Sequence, residues 1–229
     1  MSRATHTAAT VRYPYCDGRP MAESEAQLVA MLYLLTALRL RFRDRPDVYV
    51  GGDMFIYHER GNPEAVVAPD VFVVVGAPKR EDRPRLSYKL WEEPKGPDFV
   101  LEVVSRSTRT ADLGRKRALY AALGVAEYWQ LDPAGEQLAS RLRGMRLAGG
   151  AYRDLVPAVL TPDGRTLRSA VLGLELRVER GGRLRLHDPA AGRDLPGHDE
   201  EHTARLAAEA RVAELETLVR ELRARRAQP

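Results

Sequence analysis

The feature that most constrains the fold is a strand–helix–strand pattern in the middle of the chain. The segment Asp98–Val104 is almost continuously apolar, Ala111–Gly124 has a helix-forming composition closed by a glycine, and Ala126–Leu131 is apolar until Asp132 and Pro133. A helix between two buried strands is typical of a βαβ unit, in which both strands lie in one sheet and the helix covers it. The pattern therefore predicts an α/β domain.

Further elements extend this unit on both sides. Apolar residues at positions 28, 31, 32, 35, 38 and 42 recur at helical spacing, and Ser24 is a suitable N-cap, so a helix is expected over 24–42. Residues 77–97 are expected to form a polar surface loop anchored by Trp91, and the segments after residue 137 to form β-hairpins at the edge of the sheet. The segments that favour strands are Val48–Val50, Met54–His58, Val71–Val75, Leu138–Leu142, Ala151–Leu155, Leu172–Arg177 and Leu184–His187.

Three regions are expected along the chain. Residues 1–12 are small and polar without periodicity, which is typical of a disordered N-terminus. Residues 13–190 form the α/β domain. Residues 191–229 form a linker and a C-terminal helix, in which Leu215, Leu218 and Leu222 fall at the spacing of a weak coiled coil. The sequence leaves open whether this helix binds a partner or is a solvated tail.

Composition and charge restrict the class of protein. A hydrophobic fraction of 44% with 30% charged residues is typical of a water-soluble globular chain. The longest apolar stretch, Leu28–Leu38, is too short to span a bilayer, and no secretory signal is expected. The lone Cys16 is consistent with a reducing cytoplasm. A net charge of +4 favours an anionic partner such as DNA.

Three charged residues on this map could carry chemistry. Asp70 begins the strand Val71–Val75, Glu102 lies inside the strand Asp98–Val104, and Lys116 lies on the helix that follows. Two carboxylates on neighbouring strands can hold a hard divalent cation such as Mg²⁺, which lowers the pKa of a bound water and neutralises charge on a phosphate. A nearby ammonium can stabilise the transition state.

The three residues differ in how strongly the sequence singles them out. An isolated acid at a strand start, or a lysine on a helix, is more often solvated than functional. Glu102 interrupts a strand that is apolar on both faces, where a charge is costly unless it is paired or bound to metal. Glu102 is therefore the residue on which the functional hypothesis depends.

Several sequence blocks also resemble a known family, the Uma-two-type family of predicted endonucleases. The resemblance covers roughly residues 13–190, and it implies a restriction-endonuclease-like core, a mixed central sheet flanked by helices, in the PD-(D/E)XK superfamily. It also implies that Asp70 and Glu102 are metal ligands. The blocks that carry it are Val-Ala-Pro-Asp-Val-Phe-Val-Val (67–74), Pro-Asp-Phe-Val-Leu-Glu-Val-Val-Ser (97–105), Asp112, Lys116 and Tyr120, Gly-Val-Ala-Glu-Tyr-Trp (124–129), Leu-Asp-Pro (131–133), and Asp17-Gly18, 21–24 and 169–174.

One departure from the general PD-(D/E)XK pattern changes the assignment of the lysine. The pattern has its lysine two residues after the second acid, where this chain has Val104. The resemblance implies that Lys116, on the following helix, replaces it. Asp112, Lys116 and Tyr120 are spaced to share one helix face.

Other residues are additional candidates for this site. Glu23 or Glu25 could add a third carboxylate, and Ser105 could either bond locally or lie in the site. A cluster of arginines on 105–117 could face phosphates, although such a cluster is also common on solvated surfaces. Its members are Arg106, Arg109, Arg115 and Arg117.

Two functions of different classes compete. The first is a Mg²⁺- or Mn²⁺-dependent endonuclease that hydrolyses phosphodiester bonds in DNA, with Asp70 and Glu102 holding the metal and Lys116 assisting the water or the transition state. The second is a non-catalytic regulatory module that binds nucleic acid or protein on the same fold. A homodimer is compatible with either function. A buried Glu102 favours the enzyme, because a purely binding protein does not need it.

Overall fold

The computed structural model describes residues 11–15, 24–80, 83–161 and 164–226. Its helices are α1 (Glu25–Arg41), α2 (Lys116–Ala122) and α3 (His198–Arg226), and a π-helical turn, Ala111–Arg115, leads into α2. The strands are β1 (Val48–Gly51), β2 (Ile56–Tyr57), β3 (Val66–Val67), β4 (Val71–Val75), β5 (Tyr88–Lys89), β6 (Phe99–Val103), β7 (Glu127–Leu131), β8 (Leu142–Ala148), β9 (Ala151–Asp154), β10 (Val159–Thr161), β11 (Gly164–Ser169), β12 (Leu174–Val178), β13 (Leu184–Asp188) and β14 (Arg193–Asp194).

The central sheet is mixed and six-stranded, in the order β1-β4-β6-β7-β8-β9. Strands β6 and β7 are parallel, with Glu102 opposite Gln130, and every other neighbouring pair in this sheet is antiparallel. The connection between β6 and β7 contains the π-helical turn and α2. The predicted βαβ unit is therefore confirmed, and with it the α/β fold class with flanking helices, hairpins and a C-terminal helix.

The two faces of the central sheet bury different cores. Residues 71, 73, 99, 101, 103, 129 and 131 face α1 and a second sheet; we call this side the α1 face. Residues 72, 74, 100 and 128 face α2 and the small sheet β3-β2-β5; we call this side the α2 face. Since alternate strand residues point to opposite faces, Asp70, Glu102 and Gln130 belong to the α2 face, whereas Glu127 belongs to the α1 face.

The prediction for the C-terminal hairpins was partly wrong. Strands β8 and β9 do extend the edge of the central sheet, but β10 to β14 form a separate antiparallel five-stranded sheet. This second sheet packs its alternate leucines, including Leu174, Leu176 and Leu186, into the core on the α1 face. Alternation predicted β9, β12 and β13, whereas the predicted strand Leu138–Leu142 shares only Leu142 with β8. Alternation carries no information about which sheet a strand joins.

Helix α1 begins where the sequence predicted, with a capping box. The Ser24 hydroxyl accepts from the backbone N–H of Gln27 while the Gln27 side chain accepts from the backbone N–H of Ser24. Its buried side is formed by Gln27, Ala30, Met31, Leu34, Ala37 and Leu38. The apolar residues Leu28 and Leu32, which belonged to the predicted periodic set, are exposed instead.

The loop over 77–97 is held in place by a short strand. Tyr88 in β5 is fully buried and donates a hydrogen bond to the backbone carbonyl of Lys95. The predicted anchor, Trp91, is only half-buried and packs against the ring of Tyr13. Among the described residues, no helix has the length and apolar character that crossing a membrane requires.

Candidate active site

Glu102 is buried inside the central sheet, and two side chains of α2 contact its carboxylate. Only 1% of its surface is exposed. One carboxylate oxygen accepts a 2.6 Å hydrogen bond from the hydroxyl of Tyr120, and the other lies 2.9 Å from Nζ of Lys116. The buried charge of Glu102, which the sequence analysis singled out, is therefore paired. Both of its partners, Tyr120 and Lys116, lie on α2, the helix that follows strand β6.

Lys116 lies at the junction between the π-helical turn and α2. Its Nζ also lies 2.9 Å from Oδ1 of Asp112, which is itself buried. A π-helical turn contains an extra residue relative to an α-helical turn and occurs frequently at functional sites. The turn over Ala111–Arg115 directs Asp112 and Lys116 together towards Glu102. Val104, the position at which the general pattern has its lysine, is buried, and its N–H donates to the backbone carbonyl of Leu131.

Asp70 reaches the same place from the neighbouring antiparallel strand. Its Oδ2 accepts a 2.6 Å hydrogen bond from the backbone N–H of Val103, just beyond the last β4–β6 pair, in which Val71 lies opposite Leu101. Since Val103 directly follows Glu102, this bond holds the Asp70 carboxylate beside Glu102. The structure thus brings together Asp70, Glu102 and Lys116 with Asp112 and Tyr120.

The electrostatics of the cluster are those of several acids around one cation. Burial raises the pKa of Glu102 to about 8; Lys116 opposes this shift, while the charges of Asp70 and Asp112 add to it. Burial alone would lower the pKa of Lys116, but Glu102 and Asp112 outweigh burial and raise it. Lys116 therefore stays protonated, and a further positive charge would be stabilised between the acids.

Two polar residues on β7, Tyr128 and Gln130, lie beside this cluster, and the sequence analysis did not single them out. The amide nitrogen of Gln130 and the hydroxyl of Tyr128 each donate a 2.8 Å hydrogen bond to the backbone carbonyl of Asp112. Because that acceptor fixes the orientation of the amide, Oε1 of Gln130 is directed away from it. This oxygen is buried and has no hydrogen-bond partner among the described residues. A polar residue inside an apolar strand is the same signal that singled out Glu102.

The donor set fits a hard divalent cation. Asp70, Glu102 and Gln130 offer carboxylate and amide oxygens, and each oxygen of Glu102 retains a lone pair beyond its contact with Tyr120 or Lys116. Within the described part of the chain, no group of three or more His, Cys, Asp or Glu side chains has the arrangement of a complete metal cage. Mg²⁺ commonly uses only one or two carboxylates and completes its shell with water and substrate phosphate. The residues present therefore suit this ion.

The remaining candidates lie at the margin of the cluster or away from it. Ser105 bonds locally, to the hydroxyls of Ser107 and Thr108. Glu25 is exposed on α1, which packs on the opposite face of the sheet, and Glu23 lies outside the described residues. In the arginine cluster, Arg106 and Arg115 are exposed, Arg109 is exposed and donates to the carbonyl of Gln137, and Arg117 donates to the carbonyl of Tyr152 on β9.

A second buried glutamate lies on the other face of the sheet. Glu127, on β7, is 1% exposed. It accepts hydrogen bonds from the hydroxyl of Ser169 (2.6 Å), the backbone N–H of Ala170 (2.8 Å) and the indole N–H of Trp129 (3.2 Å), and it lies 3.3 Å from the guanidinium of Arg146. These donors connect the turn between β11 and β12 to the central sheet. Glu127 therefore links the two sheets.

Comparisons with known proteins found one family model and a solved structure that are similar to this chain. The sequence model of the Uma2 family, described as "putative restriction endonuclease", matches residues 3–179. A crystal structure of a "putative nuclease belonging to DUF820" from Anabaena variabilis aligns over 65% of this chain and 79% of its own, with 13% sequence identity and a TM-score of 0.45. No curated protein shows a significant match to the chain.

Proposed function

The chain belongs to the Uma2 family of restriction-endonuclease-like proteins, and from that premise we propose that it is a metal-dependent endonuclease acting on DNA. The observation that supports this most directly is the convergence of Asp70, Glu102 and Lys116 at one buried position on the α2 face. Asp70 and Glu102 are the proposed metal ligands and Lys116 the proposed catalytic cation. The proposed cofactor is Mg²⁺, which Mn²⁺ can replace.

Each side chain of the cluster has a distinct role in the proposed chemistry. When bound, the ion supplies a water of lowered pKa and neutralises charge on the scissile phosphate. Tyr120 holds one oxygen of Glu102 through its hydroxyl and so orients the carboxylate. Lys116, fixed between Glu102 and Asp112, presents a permanent positive charge that can orient the attacking water or stabilise the charge that develops on the phosphate.

The approach of the DNA backbone would be guided by the arginines beside the site. Arg106, Arg109 and Arg115 are exposed on the segment that connects β6 to α2, so their guanidinium groups can reach phosphates next to the scissile one. Arg109 and Arg117 donate to the carbonyls of Gln137 and Tyr152, so we assign these two a smaller share of the contact than Arg106 and Arg115. Such contacts position the substrate without reading its sequence.

The test is cleavage of plasmid, linear double-stranded DNA, single-stranded DNA and RNA with Mg²⁺, Mn²⁺ or EDTA. The wild type is compared with Glu102→Gln and Lys116→Met, which remove charge at nearly constant size. The matched controls are Glu175→Gln, on a half-buried position of β12, and Lys89→Met, on β5. We expect metal-dependent cutting of DNA that both site variants lose and both controls keep.

Three other results would change the assignment. Retention of cutting in Lys116→Met would keep the nuclease but remove Lys116 from its role. Cutting of RNA alone would change the substrate. An inactive wild type that binds neither Mn²⁺ nor Mg²⁺ by calorimetry would refute the enzyme and leave a binding module as the function.

A further inference from the structure

The C-terminal helix α3 is fixed to the domain only at its beginning. Both oxygens of Glu200 accept hydrogen bonds from the guanidinium of Arg185, at 2.6 and 2.9 Å, and Arg183 adds a third at 3.0 Å. After Glu200, every residue whose burial is described is exposed, over a helix that continues to Arg226. Most helical stability in proteins comes from packing of an apolar face, and among the described residues that support is limited to the first turn of α3.

An apolar stripe runs along this exposed helix. Val212, Leu215 and Val219 follow each other at steps of three and four residues, and they are 54%, 43% and 44% exposed. The sequence continues the same spacing to Leu222 and, towards the N-terminus, to Ala208. Steps of three and four repeat every seven residues, which is the period that keeps one seam of a helix against a partner helix.

The residue types along the stripe select the kind of partner. Valine occupies two consecutive a positions, 212 and 219, and leucine the d position between them, 215, whereas the preceding a position is Arg205. β-Branched residues at a with leucine at d favour two-stranded parallel coiled coils. In this register Leu218 lies beside the seam at position g rather than inside it. The seam is therefore better defined by Val212, Leu215 and Val219 than by the leucines alone.

The charges beside the seam are complementary to those of an identical helix. Arg211 lies at position g and Glu216 at the following e position. In a parallel pair in register, position g of one helix faces the next e position of the other, so Arg211 of each copy would face Glu216 of its partner, twice by symmetry. Within the single chain Arg211 instead contacts Glu214, which an exposed side chain can exchange for another partner.

We propose that α3 mediates dimerisation of the protein by forming a parallel two-stranded coiled coil with α3 of a second copy. The seam comprises Ala208, Val212, Leu215 and Val219. The ion pair between Arg211 and Glu216 sets register and direction. This inference is independent of the proposed nuclease activity, since it uses no residue of the candidate active site.

The first test is the mass of the full-length protein in solution across a dilution series, by sedimentation or light scattering. The wild type is expected to be a dimer at high concentration. Leu215→Glu places a charge in the seam and should weaken dimerisation by about 100-fold or more. Leu206→Glu makes the same change on an equally exposed leucine at position b and should leave the mass unchanged. A monomeric wild type at all concentrations, or equal effects of both variants, would overturn the proposal.

A second test addresses direction and register. Arg211→Glu and Glu216→Arg should each weaken the dimer, and the double variant should restore it, because the pair is re-formed with its signs exchanged. In a Cys16→Ala background, Ala208→Cys should yield a disulfide-linked dimer under oxidation, since a d position meets itself across a parallel seam. Failure of the double variant to recover, together with no cross-link, would exclude the parallel arrangement.

Discussion

Glu102 and Glu127 are both glutamates on adjacent parallel strands, both 1% exposed, and they differ in what surrounds them. Glu127 is surrounded by donors: a hydroxyl, backbone amides, an indole and an arginine. Glu102 has two donors, Tyr120 and Lys116, and two further acids beside it. Among the contacts of the described residues, hydrogen-bond donors surround Glu127, whereas Glu102 has one neighbouring cation, Lys116, and two neighbouring acids, Asp70 and Asp112.

The comparison shows that burial of a charge does not by itself indicate function. A buried carboxylate that receives hydrogen bonds from two different sheets stabilises their packing. A buried carboxylate beside other acids, with an amide oxygen on the next strand that has no hydrogen-bond partner among the described residues, is where we propose that an external cation binds. Four predictions test this distinction, in decreasing order of expected effect.

Removal of Glu127 should have the largest effect, on stability. Glu127→Ala leaves Ser169, Trp129 and the amide of Ala170 without their acceptor, so the free energy of unfolding should fall by about 3–5 kcal/mol. Chemical denaturation measures the change. The isosteric Glu127→Gln keeps an acceptor oxygen and should be affected less. Loss of cleavage in fully folded Glu127→Ala would contradict a purely structural role of Glu127, because both glutamates would then be functional.

Replacement of Glu102 should reduce cleavage strongly and change stability little, the opposite of the result expected for Glu127. Glu102→Gln should reduce cleavage by roughly 100-fold or more, as expected when a group that organises developing charge is lost. Its unfolding free energy should change by less than about 2 kcal/mol, since the amide can still accept from Tyr120, and Lys116 retains Asp112. Kinetics and denaturation on one preparation separate the two effects. A large destabilisation with unimpaired cleavage by the folded fraction would contradict a catalytic role.

A substitution at Gln130 tests directly whether its Oε1, which has no hydrogen-bond partner among the described residues, binds the metal. Gln130→Leu removes that oxygen at similar volume, and the carbonyl of Asp112 keeps its hydrogen bond from Tyr128. We expect Mn²⁺ affinity to fall about tenfold, with little change in thermal stability without metal. Titration of Mn²⁺ followed by electron paramagnetic resonance measures binding without reference to activity. Unchanged affinity would exclude Gln130 from the metal site.

The smallest effect is expected at Glu200, a partly exposed acid that extends the comparison to the surface. Hydrogen bonds from Arg185 lower the pKa of Glu200 from 4.5 to about 2, so the ionised form stabilises the fold. This contribution is present above pH 4.5 and is lost as the pH falls towards 2. Because solvent screens the pair, it should amount to less than about 1 kcal/mol. Thermal melts of Glu200→Gln between pH 7 and 3 should show a smaller acid-induced loss than the wild type, and Glu201→Gln should match the wild type.

The sequence predicted individual elements better than contacts between segments that are distant along the chain. Strand β4, the βαβ unit and the start of α1 follow from local patterns, and Glu102 was singled out because a charge in an apolar strand is costly. The pairing of Glu127 with Ser169 was not predictable in this way, because Ser169 lies 42 residues away along the chain. The second sheet was missed for the same reason. The buried side of α1 was predicted wrongly because Ala30 and Ala37 are buried there, whereas the pattern predicted Leu28 and Leu32, which are exposed.

The π-helical turn before α2 has a consequence for how sites of this type can diversify. Each residue of a helix turns the chain by about 100°, so one residue more or fewer in this turn changes which side chain reaches Glu102. Loss of one residue from 111–115 would rotate Asp112 relative to Lys116, the first residue of α2, so the two side chains would no longer both face Glu102. The length of this one turn thus determines which side chains meet at Glu102, without any substitution at the acids.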